Sequence, residues 1–67
     1  MTNLQLVKKV DQWAQDNRDQ KLELQLDRIY RSAKNSDYGW ESVEESSPDL
    51  FKNAVQIAKN NFYKLTK

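Results

Sequence analysis

Residues 13–30 read Trp13-Ala14-Gln15-Asp16-Asn17-Arg18-Asp19-Gln20-Lys21-Leu22-Glu23-Leu24-Gln25-Leu26-Asp27-Arg28-Ile29-Tyr30, and whether one helix runs through their polar middle decides the fold. Upstream, Leu6, Val7, Val10, Trp13 and Ala14 recur at helical spacing and form one apolar stripe. Downstream, Leu22, Leu26, Ile29, Tyr30 and Ala33 form a second, without a gap. At about 100° per residue, the two stripes would lie roughly 140° apart on a continuous helix. Such a helix would bury opposite sides in its two halves and need a partner on each. A break near Asn17 turns both stripes toward one core, with Asn17 and Gln20 placed to act as a capping box. The break is the expected arrangement. Within the second stripe, residues 21–26 alternate apolar and polar and could pass for a strand. One glycine and one proline in 67 residues are too few turn formers for an all-β chain.

Working outward, the first helix is expected over 3–16, capped by Thr2 or Asn3, and the second over 19–34. Asn35, Ser36, Asp37 and Gly39 have the chemistry of a turn. Residues 40–46 have room for a short helix presenting Trp40 and Val43. Ser47-Pro48-Asp49 then combines an N-cap residue, a proline at the first helical position and an acid in the first turn. The helix it opens, over 48–65, carries Leu50, Phe51, Ala54, Val55, Ile57, Ala58, Phe62 and Leu65 on a wide apolar face, and is the expected centre of the core. The class is all-α: a small three-helix bundle forming one domain over 1–67, with a short fourth helix around 40–46 as a variant.

Composition removes most chemistry. There is no cysteine and no histidine, so disulfides, thiolate metal sites and the usual general base are absent. No Ser-x-x-Lys, no glycine-rich phosphate loop and no Ca-binding loop occurs. An enzyme is not expected, nor is a metal or a cofactor. A chain this short buries only about 60% of the surface its unfolded form exposes. A protein partner or self-association is therefore the expected source of any extra stabilisation. No apolar run reaches the ~18 residues of a membrane span and no signal peptide is evident, which points to a cytoplasmic protein without a membrane partner. Net charge is +1, so an electrostatic role must come from local segregation.

That segregation exists. Asp37, Glu41, Glu44, Glu45 and Asp49 occur in 37–49 without a base, whereas 50–67 holds four lysines and no acid. Helix-dipole complementation accounts for Asp49, Glu45, Lys64 and Lys67, but Asp37 and Glu41 exceed what it needs. The surplus suggests an acidic patch for a basic partner surface. Tyr38 and Trp40 flank the only glycine inside this stretch. Such aromatics serve as interface anchors, although Trp40 has the alternative of sealing one end of a small core. Leu24 falls off the second stripe, near Lys21, Arg28 and Arg31 on the helical wheel. It can anchor a partner within a polar rim or pack against a fourth helix. On the last helix, Lys52, Lys59, Tyr63 and Lys67 lie opposite the apolar face. They outline a weak phosphate-tracking surface with a stacking aromatic, or an ordinary solvated helix face.

The run 10–16, Val-Asp-Gln-Trp-Ala-Gln-Asp, resembles the first helix of small all-helical nucleotide pyrophosphohydrolases. The second helix lacks the Glu-x-x-Glu metal-binding pattern of those enzymes, so no activity carries over. The function expected is a small helical binding protein acting through protein–protein contact as an inhibitor or adaptor, of the size phages and mobile elements often encode. The alternatives are a nucleic-acid-binding module using the basic face of the last helix, and a self-associating assembly subunit. Protein-interface candidates are Asp37, Tyr38, Trp40, Glu41, Glu44, Glu45 and Leu24.

Overall fold

A computed structural model describes residues 1–33 and 38–66. Among them are four α-helices and no strand: α1 (Asn3–Asp16), α2 (Gln20–Ser32), α3 (Trp40–Ser46) and α4 (Pro48–Asn61). A terminal 3-10 turn, Phe62–Thr66, continues α4. The small all-helical bundle expected from the sequence is thus the fold, with the short fourth helix realised.

Thr2 caps α1. Its hydroxyl accepts from the Gln5 N–H at 3.1 Å while the Gln5 side chain accepts from the Thr2 N–H at 3.0 Å, a reciprocal capping box. The expected box between Asn17 and Gln20 does not form. Asn17 ends α1 instead, its side chain donating back to the Trp13 carbonyl at 2.9 Å. Arg18 then enters the left-handed region with φ 53°. Its N–H bonds to the Gln15 carbonyl at 3.3 Å, and that of Asp19 bonds to the Ala14 carbonyl at 2.9 Å. These are the two bonds of a Schellman closure, with arginine where glycine usually stands. Capping of α2 falls to Asp19, whose carboxylate accepts from the Leu22 N–H at 3.3 Å. Three residues therefore reverse the chain and bring both stripes onto one core.

The joint between α3 and α4 is tighter still. Ser47 donates its N–H to the Val43 carbonyl and accepts from the Phe51 N–H, both at 2.9 Å. It holds the N-cap position before Pro48, but its side chain makes no capping hydrogen bond. At the first helical position the proline gives up only an N–H that has no intrahelical partner, and its φ is preorganised for the helix.

Helix α4 packs against α1, α2 and α3 and lies at the centre of the bundle. It buries Phe51, Ala54, Val55 and Ala58 against Val7, Val10 and Ala14 of α1, Leu22 and Leu26 of α2, and Trp40 and Val43 of α3. Leu6, Trp13, Ile29, Tyr30, Phe62 and Leu65 close the rim, half-buried. Among the described residues no buried side-chain polar atom is left without a hydrogen-bond partner, and no helix is long and apolar enough to cross a membrane.

Candidate protein-binding groove

The floor of the candidate site begins with Trp40. Of the two placements open to it, the structure has the core one: the residue is 6% exposed. Its ring meets Tyr30 edge-on, with centroids 5.0 Å apart at 66°, a favoured aromatic geometry. Its Nε1–H is aimed at Asp11 Oδ2, at a long 3.4 Å. Trp40 thus works as a plug that ties the start of α3 to α1 and α2, and only an edge remains for contact.

Gly39 sets that plug. Its φ of 91° and ψ of −175° fall in a region essentially restricted to glycine. Its carbonyl accepts from the Ser42 N–H at 3.2 Å and starts α3 without a side-chain cap. Chain direction at this point delivers Trp40 inward while Tyr38, two residues earlier, stays 75% exposed.

Beside the plug, α1 and α2 diverge into an open groove. Asp11, Gln15, Gln20, Glu23, Leu24, Asp27, Tyr30, Gly39 and Trp40 line it, three carboxylates with no cation among the lining residues. Leu24, 57% exposed, stands here. None of the three cations that the helical wheel set around it lines the groove. Arg31 is engaged by Asp27 at 2.9 Å, and Lys21 borders a second groove with Asp19 and Lys64. The groove beside Leu24 is thus lined by carboxylates, one of them bonded to Arg31.

The described acids of this segment lie on α3 and at the start of α4. Glu41 pairs with Lys8 of α1, both ends about half exposed, so its charge is locally offset. Glu44 and Glu45 are exposed on α3, and Asp49 lies in the first turn of α4. Asp37 lies outside the described residues. Lys52 and Lys59 on α4 and Tyr63 in the terminal 3-10 turn are exposed, and Lys67 lies outside the described residues. Lys52 and Lys59 are separated by two helical turns, about 10 Å along the axis, which is a footprint of two phosphates.

Lys64 is drawn away from that face. It donates to Asp19 Oδ2 at 2.8 Å and sits 5.8 Å from the centroid of the Trp13 ring. The Lys64 hydrogen bond holds the Asp19 carboxyl below its ordinary value, and the Leu22 N–H acts in the same sense. Reciprocally, Asp19 raises Lys64. The pair clamps the α1–α2 turn to the C-terminal turn and is structural.

The groove was only partly foreseeable. Asp11, Glu23 and Asp27 carried no motif; their one signal is that Glu23 and Asp27 sit four apart along the edge of the α2 stripe. Among the described residues no three carboxylates converge closely enough to hold a metal ion. Against known proteins, the chain matches no family model, no curated protein and no solved structure.

Proposed function

We propose that this chain is a small non-catalytic binding protein that acts by occupying the surface of a partner protein, as an inhibitor or an adaptor. One observation carries the proposal. Leu24 is 57% exposed within a groove that also offers the edges of Tyr30 and Trp40, and Tyr38 is 75% exposed one residue before the lining Gly39. Aromatic and aliphatic groups held at a concave surface by a packed scaffold are the usual anchors of protein recognition. The lack of cysteine suits a reducing cytoplasm. The size suits the compact inhibitors and adaptors of phages and mobile elements.

Capture from a cell lysate with the immobilised chain, with and without nuclease, tests the role. Leu24→Glu is the informative variant, because an exposed position should change stability by no more than about 0.5 kcal/mol. A protein held by the wild type and released by Leu24→Glu, with helicity unchanged, supports binding through this face. Equal retention by both removes the groove from consideration. Loss on nuclease treatment transfers the role to the Lys52, Lys59 and Tyr63 face as a nucleic-acid module, whose affinity must then fall with salt.

A further inference from the structure

We propose that the α1–α2 groove receives an arginine or lysine side chain projecting from a basic segment of the partner protein. This rests on the protein-binding role above and names the chemistry that would be recognised. The lining supplies both halves of what such a side chain needs. Leu24 and the edges of Tyr30 and Trp40 offer apolar surface for the aliphatic stem, while Asp11, Glu23 and Asp27 offer carboxylates for the charged head. Charge complementarity selects the occupant: three acids face the groove and no base does.

The state of each carboxylate sharpens the choice. Glu23 makes no ion pair among the described residues and is half-buried, so a cation reaching it displaces no charged partner. Asp27 is held by Arg31, whose side chain is 79% exposed; an exposed pair of this kind is weak and exchanges readily. Asp11 uses Oδ2 for both Gln15, at 3.1 Å, and Trp40, at 3.4 Å. Among the described residues no three such groups converge to hold a metal ion, so the carboxylates suit a cation that carries several donors on a long stem. The planar guanidinium, with five donors, suits them better than a compact ammonium. Because Asp11 also accepts from the indole, an incoming cation perturbs Trp40 directly, and this gives the binding event its own spectroscopic mark.

The test uses the full chain, isotopically labelled, titrated to millimolar concentration with a capped octapeptide alternating leucine and arginine. Its control is the same peptide with citrulline in place of arginine, which keeps shape and loses charge. The expected result is movement of the Trp40 indole N–H resonance on adding the arginine peptide. Affinity should fall by about tenfold for citrulline, and likewise for the double variant Glu23→Gln, Asp27→Asn. An unmoved Trp40 resonance, or equal binding of the citrulline peptide, overturns the inference, as does concentration-dependent pairing of the chain with itself through this groove. If Leu24→Glu still releases the captured protein while the peptide leaves Trp40 unmoved, the inference about basic partners fails and the binding role stands. If neither responds, both fail.

Discussion

Two residues hold backbone conformations that their neighbours must sustain. Gly39, at φ 91°, lies where side chains other than hydrogen cost about 1–3 kcal/mol. A Cβ there would also come within 3.0 Å of Glu41 Oε2, but that carboxylate ends a flexible exposed side chain and can swing aside. Backbone strain, not collision, decides the outcome. Gly39→Ala should therefore destabilise by about 1–3 kcal/mol in thermal or urea unfolding, and double replacement with Glu41→Ala should recover little of it. Arg18 presents the opposite case. It occupies the left-handed position of the α1 closure at φ 53° without an ion pair among the described residues. That conformation costs an L-residue about 1–2 kcal/mol, against about 0.5–1 kcal/mol of extra chain entropy lost by glycine on folding. Arg18→Gly should then stabilise by about 0.5–1 kcal/mol, read as a rise in Tm of about 2–8 °C. A fall in Tm would show that the arginine side chain makes a contribution its exposure does not suggest.

Among the elements, the α1–α2 turn carries the densest set of roles. Asp19 ends the closure of α1, caps α2 and clamps Lys64. Asp19→Asn isolates the charge, since asparagine caps a helix about as well as aspartate. The carboxyl is lowered in the folded chain, so its stabilising effect is complete above the ordinary value near 3.9 and is lost as pH falls through the lower, folded value. Lys64 is raised, so its share is complete below the ordinary lysine value and is lost as pH rises through the higher, folded one. The Tm gap between wild type and Asp19→Asn should accordingly be widest near neutrality, close in strong acid and in strong alkali, and narrow in molar salt. A gap independent of pH would assign Asp19 to capping alone. The same turn marks the boundary of what could be read from the chain. Stripes 140° out of phase announce a reversal, and Ser47-Pro48-Asp49 announces α4, because both are written in neighbours along one strand of sequence. That Arg18 would turn left-handed was hidden, with no glycine to signal it. The partnership of Asp19 with Lys64 was hidden as well, spanning 45 residues. The groove is illegible for the same reason. A helical wheel places Leu24 among cations of its own helix, whereas its actual surroundings include Asp11 from α1 and Gly39 from the turn before α3. Only helix crossing brings these together.

At the scale of the whole molecule, charge and surface together bear on whether this bundle is complete alone. Its accessible surface is 4764 Å², close to the about 4,450 Å² that a monomeric chain of 8.0 kDa is expected to show. A subunit built to be half of an obligate assembly would leave a broad apolar face outward. Among the described residues the large exposed apolar groups are Met1, Leu24, Tyr38 and Tyr63. Leu24 and Tyr38 stand at or beside the groove, while Met1 and Tyr63 belong to other elements, so the apolar surface is a small patch rather than a broad face. The acidic groove and the Lys52–Lys59 side of α4 are opposite in sign and would attract one another between copies. However, two lysines exposed to solvent contribute little at physiological screening, where the Debye length is about 8 Å. Sedimentation equilibrium should therefore return the mass of a monomer up to about 100 µM at physiological salt, with weak association at most when salt is lowered. Monomeric behaviour leaves the groove vacant and directs its carboxylates toward a different protein. A dimer at micromolar concentration that dissociates on Leu24→Glu would instead make the second copy the occupant, and the chain an assembly subunit.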